Sequence, residues 1–159
     1  VIDDVTLTYT KNSAIFKSEE YVIYTRLIQG EYFKYQKMFS ESEITTYASR
    51  TDLIGAMTRA KMCTEGKRPA IFKLENEALN ISITDKLADY QEQVPLQEAV
   101  CKPIRLGFDS KLVLETLKAF TCDNVVLGFT SPKTPMIVEA EDSDMKAMVL
   151  PVAIREERS

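Results

Sequence analysis

Ala147-Met148-Val149-Leu150-Pro151-Val152-Ala153-Ile154 is an apolar stretch followed only by Arg155-Glu156-Glu157-Arg158-Ser159. Chain ends are usually polar and frayed. Eight consecutive apolar residues at this position therefore predict a strand. Proline has no N–H to give to a ladder and is confined to an edge, an end or a bulge of a sheet. The strand is expected to pack at its start and to be open near Pro151. Two readings fit: a core strand that closes a sheet, or an apolar wall beside an unpaired edge where something binds. The elements upstream decide between them.

Val125-Val126-Leu127-Gly128-Phe129-Thr130 reads as a half-buried strand. Met136-Ile137-Val138 follows, and the terminal strand completes the run. The same order occurs near the other end: Val5-Thr6-Leu7-Thr8-Tyr9-Thr10, then Ala14-Ile15-Phe16, then residues 21–28. Val5 and Val125 are 120 residues apart, longer than a solenoid period and close to the size of a domain. Residues 1–36 thus read as the last strands of one repeat with a linker. Residues 37–154 read as a complete next copy, and residues 155–159 as a short polar tail.

Between these runs, residues 31–40 have no period and read as a connector, and residues 41–49 read as a strand. Residues 50–63 change to a helical period, with Leu53, Ile54, Met57 and Ala60 on one stripe. Ser49 or Thr51 can cap this helix, Asp52 suits its positive end, and Gly66 stops it. Residues 70–74 and 78–84 form a hairpin around Glu75-Asn76-Glu77. Residues 89–99 and 104–108 add strands. Asp109 caps a second helix over 110–120, with Leu114, Leu117 and Phe120 inward. The fold class is α+β: two helices packed on antiparallel β-sheets.

The 159 residues, 45% hydrophobic and 28% charged, match an ordinary globular chain. The net charge of -4 argues against coating nucleic acid by bulk charge, without excluding a local basic face. The chain has no His, which removes Ser-His-Asp and Cys-His catalysis and the usual zinc sites. It has no glycine-rich phosphate loop. No catalytic residue, cofactor or metal is expected, and the acidic run Glu139-Ala140-Glu141-Asp142-Ser143-Asp144 reads as a solvated turn. No apolar run approaches the roughly 20 residues that span a bilayer. Val1-Ile2-Asp3-Asp4 has no signal-peptide pattern, and the missing initiator Met is expected of a fragment or processed product. Cys63, Cys101 and Cys122 read as free thiols in a reducing cytoplasm.

Three segments carry a family resemblance. Thr25-Arg26-Leu27-Ile28-Gln29-Gly30-Glu31-Tyr32-Phe33-Lys34-Tyr35 resembles a linker that usually reads R/K-L-I/V-x-G-x-F/Y-P-D/N-Y. Leu106-Gly107-Phe108-Asp109 with Leu112-Val113-Leu114-Glu115-Thr116-Leu117-Lys118-Ala119 resembles G-F-N…Y-L-L-D-A-L-K-A. Val149-Leu150-Pro151-Val152-Ala153-Ile154 resembles a terminal V-M-P-M-R-L. In this order and spacing they resemble the C-terminal part of the bacterial sliding clamp, the β subunit of DNA polymerase III. Phe33 stands where that family usually has Pro, Ala153 where it has Arg, and residues 155–159 extend past its usual end.

The resemblance implies a DNA-clamp fold, with helices facing a central hole and sheets forming the outer wall. It implies a homodimeric ring around duplex DNA in the full-length protein, a non-catalytic processivity role and a cytoplasmic setting, with no membrane. Its partners would be the DNA polymerase III α subunit, the clamp loader and other proteins that dock through a short peptide bearing a Gln and large apolar residues. By motif, that peptide would meet Met148, Val149, Leu150, Pro151 and Val152, with Phe33, Lys37 and Met38 from the linker and Leu112 from the second helix. Arg59, Lys111 and Lys118 would face DNA. Read from spacing alone, the same residues are core positions and solvated helix faces. A β-rich interaction module with no role at DNA is the alternative, and an enzyme would need a cofactor to supply its chemistry.

Overall fold

The computed structural model describes residues 4–64, 68–84 and 89–154. Gly66 and the tail 155–159 lie outside the described residues. The chain divides into two compact units, Val1–Tyr35 and Gln36–Ser159.

The first unit is a three-stranded antiparallel meander of β1 (Thr6–Tyr9), β2 (Ser13–Lys17) and β3 (Val22–Arg26), in that order. Leu7 pairs with Phe16 and Phe16 with Ile23. Paired residues of antiparallel strands share a face, so these three line one side together. All three are exposed. A 3-10 turn, Tyr35–Met38, follows within the stretch read as a connector.

The second unit runs β4 (Ile44–Ser49), α1 (Arg50–Thr64), β5 (Ala70–Glu75), β6 (Ala78–Thr84), β7 (Asp89–Pro95), β8 (Ile104–Phe108), α2 (Ser110–Ala119), β9 (Asn124–Phe129), β10 (Met136–Ala140) and β11 (Lys146–Val149). The strands form two four-stranded sheets, β11-β10-β9-β4 and β7-β6-β5-β8, and every pairing is antiparallel.

Local chemistry explains the elements. Ser49, not Thr51, caps α1: its Oγ accepts from the Asp52 N–H at 3.2 Å. Leu53, Ala56, Met57 and Ala60 are buried along one side of that helix, and Ile54 packs partly buried against the core. Asn76 takes the left-handed conformation (φ 53°) that the tight β5–β6 turn needs and Asn tolerates. Leu79, Ile81 and Ile83 alternate inward along β6. Both sheets and both helices contribute to one core, in which the Phe72 and Phe108 rings meet edge to face at 5.1 Å. α1 packs on α2 and on β6 and β7, and α2 lies against β11.

The end of the chain differs from the single long strand the sequence predicts. Pairing with β10 stops at Val149. Leu150 and Pro151 belong to no strand, and the Val152 N–H then donates to the Gly107 carbonyl of β8 at 2.8 Å. The physical reason is the missing N–H of Pro151, which cannot extend the ladder. The chain leaves one sheet there and touches the other. A second bridge, between Ala48 and Leu96, joins the sheets at β4.

Candidate functional site: an apolar groove and a basic helix face

Pairing assigns the two faces of the β11-β10-β9-β4 sheet. Val149 opposes Met136 and Ala147 opposes Val138. Val149, Met136 and Val138 are buried in the core. Met148 opposes Ile137, which opposes Gly128, which opposes Thr45. That row forms the outer face, where Met148 is half-buried. Val149 therefore fills the core, while Leu150 (58% exposed) and Val152 (39%) present apolar surface around Pro151.

Near this row, Lys37, Met38, Thr134 and Pro135 line a cavity of about 220 Å³ floored by Ile137. A second cavity of about 370 Å³ shares Ser40 and Ile137 with the first and extends to Gly128, Glu41, Glu139 and Lys146. Glu139 and Lys146 face each other across β10 and β11 and pair at 2.8 Å. Leu112 is exposed on α2. Its backbone N–H and that of Lys111 both donate to Asp109 Oδ1, at 3.4 and 2.8 Å, so the helix cap holds two candidate site residues in place. Phe33 is exposed and belongs to the first unit.

On the helix surfaces, Lys118 is exposed in the last turn of α2, and Lys111 Nζ lies 3.9 Å from Glu115. Arg59 is engaged differently. Its Nε and Nη2 donate to Glu92 of β7 at 2.8 and 2.5 Å, a bidentate fork. Tyr90 shares its one hydroxyl proton between Glu92 and the Ala56 carbonyl. The fork from Arg59 holds the Glu92 carboxyl below its ordinary range. Burial, then Glu92, pushes the Tyr90 phenol up. Gly55 gives Arg59 its room: a Cβ there would come within 3.2 Å of Nη2. Arg59 is thus a paired cation rather than a free one. Glu92 and Tyr90, which the sequence reading missed, lie 33 and 34 positions from their partners on α1, beyond any local pattern.

Cys63, Cys101 and Cys122 are free thiols. The acidic run connects β10 to β11. Among the described residues no group of three or more His, Cys, Asp or Glu could hold a metal, and no helix is long and apolar enough to cross a membrane.

The beta sliding clamp of Staphylococcus epidermidis is 24% identical over 155 residues, covering 94% of this chain and 41% of that protein. The DNA polymerase III subunit beta of Pseudomonas aeruginosa shares the fold, with a TM-score of 0.87 at 18% identity over 96% of this chain and 43% of that one. So does the DNA polymerase III beta chain of Streptococcus pneumoniae, with a TM-score of 0.84 at 18% identity over 94% of this chain and 41% of that one. The chain therefore spans less than half the length of these relatives. Residues 39–153 match the model of the DNA polymerase III beta subunit, C-terminal domain, and the chain belongs to that family.

Proposed function

We infer that this chain is the C-terminal part of a sliding clamp, a non-catalytic processivity factor of DNA replication. The longer protein would close as a head-to-tail homodimeric ring around duplex DNA in the cytoplasm. It would tether the DNA polymerase III α subunit, the clamp loader and other proteins through short peptides. Residues 1–36 would then be the end of the second clamp domain with its linker, and 37–154 the whole third domain.

The observation that carries the docking site is the break at Pro151. It leaves Leu150 and Val152 exposed next to half-buried Met148, with Lys37 and Met38 lining the neighbouring cavity. Met and aliphatic side chains make an adaptable surface that several partners can share. Lys37 has no ion pair among the described residues, and it can hold a peptide carbonyl or an acidic flank. Leu112 completes the proposed contact set within this unit. Lys111 and Lys118 are the cations proposed to face DNA. Arg59 would act there only through its pair with Glu92.

Binding of a fluorescent polymerase-derived peptide to the purified chain tests the docking site. Leu150→Asp places a charge in the groove and is expected to weaken binding about tenfold or more, with a smaller loss for Met148→Ala. Val149→Ala is expected to cost about 2 kcal/mol of fold stability through its core cavity. A peptide that does not bind, or binding indifferent to both groove changes, would remove the assignment.

A further inference from the structure

We propose that the outer face of the β11-β10-β9-β4 sheet carries an extension of the peptide groove, which takes a basic residue from the flank of the bound partner peptide against Glu41. This rests on the docking site proposed above.

Three observations support it. The first is continuity. The 220 Å³ cavity beside Lys37 and the 370 Å³ cavity beyond it share Ser40 and Ile137. Ile137 is the cross-strand partner of Met148. A chain lying on Met148 and Met38 thus meets the larger cavity next along the same face.

The second is charge. The larger cavity is lined by Glu41, Glu139 and Lys146. Lys146 is already committed to Glu139 at 2.8 Å, and that pair is locally neutral. Glu41 is exposed, and it makes no ion pair among the described residues. The uncompensated charge at this end is therefore a carboxylate, opposite in sign to Lys37 at the other end. An acidic or neutral flank gains nothing there, whereas a Lys or Arg gains a partner at a partly sheltered rim.

The third is how the rim is held. Gly128 leaves the space that Ser42 occupies: a Cβ at 128 would collide with Ser42 Oγ. The Thr130 hydroxyl donates to the Glu41 carbonyl at 3.5 Å. The segment carrying Glu41 is thereby seated on the sheet.

The test uses the purified chain and one core peptide, a Gln with large apolar residues, carrying a Lys-Lys or a Glu-Glu flank at either end in turn. At one end, the Lys flank is expected to bind about threefold tighter than the Glu flank. The preference should vanish in Glu41→Gln, reverse in Glu41→Lys, and shrink in about 0.5 M salt. If the core peptide binds but the preference is absent or survives Glu41→Lys, the extension is wrong and the docking site stands. If the core peptide does not bind at all, both fall.

Discussion

Glu92 ties an edge strand to a helix through one carboxylate. It accepts both arms of the Arg59 fork and the Tyr90 hydroxyl. Each bond favours the ionised form, so the folded protein holds this carboxyl deprotonated at pH values where the unfolded chain has begun to bind a proton. Stability from the clasp is therefore fully present above the ordinary Glu range, near pH 4.3, and is lost as pH falls through the depressed value. Glu92→Gln is expected to melt below the wild type at pH 7, and the gap should narrow at acid pH, as the pH falls through the depressed value. Thermal melts at pH 7 and at acid pH check this, and a gap that stays constant would mean that charge is not what holds the clasp. Tyr90→Phe keeps the ring and loses the shared proton, which should cost about 1 kcal/mol.

The terminal segment and β8 depend on each other as elements. A Cβ on Gly107 would stand 3.0 Å from the Val152 carbonyl and 3.1 Å from Ile154 Cγ1. The Val152 backbone and the Ile154 side chain would both have to give by a few tenths of an ångström. Gly107→Ala should push the segment after Pro151 away from β8 by a few tenths of an ångström, weaken the Val152-to-Gly107 hydrogen bond, and cost about 1 kcal/mol. Hydrogen exchange at the Val152 amide should speed up, and peptide binding should weaken with it. An unchanged amide would show that the segment needs no such clearance. Much of this architecture was legible in the sequence. The alternation of the strands, the Asp109 cap and the matching meanders at both ends are local or periodic signals, and each has its counterpart in β1–β3, α2 and β9–β11. The switch of sheets at Pro151 was not legible, because a proline announces that pairing stops but not what the chain meets next. The faces of Met148 and Val149 needed the register with β10. The partner of Arg59 needed the fold that brings β7 to α1.

At the scale of the whole molecule, charge and topology make opposite demands. A protein that holds DNA by affinity needs cations that release counterions, with each phosphate contact steepening the salt dependence. This chain carries 24 acidic and 20 basic residues. Arg59 is paired with Glu92, and Lys111 lies near Glu115. Of the three cations proposed for the DNA side, Lys118 alone has no ion pair among the described residues. Such a surface suits a ring that keeps DNA by enclosure, because a weakly attractive wall lets the duplex slide. A chain spanning 41% of a clamp's length is proposed to be a segment of such a ring and should then hold DNA hardly at all. Linear duplex titrated against the purified chain at about 0.15 M salt is expected to show no binding tighter than the weak nonspecific range, roughly 10⁻⁴ M. Within that weak binding, Lys118→Glu should lower the low-salt affinity more than Arg59→Gln, because it reverses the charge of a cation that has no ion pair among the described residues, whereas Arg59→Gln removes a cation already engaged by Glu92. Micromolar binding at physiological salt would contradict retention by enclosure and place the DNA contacts on a face other than α1 and α2.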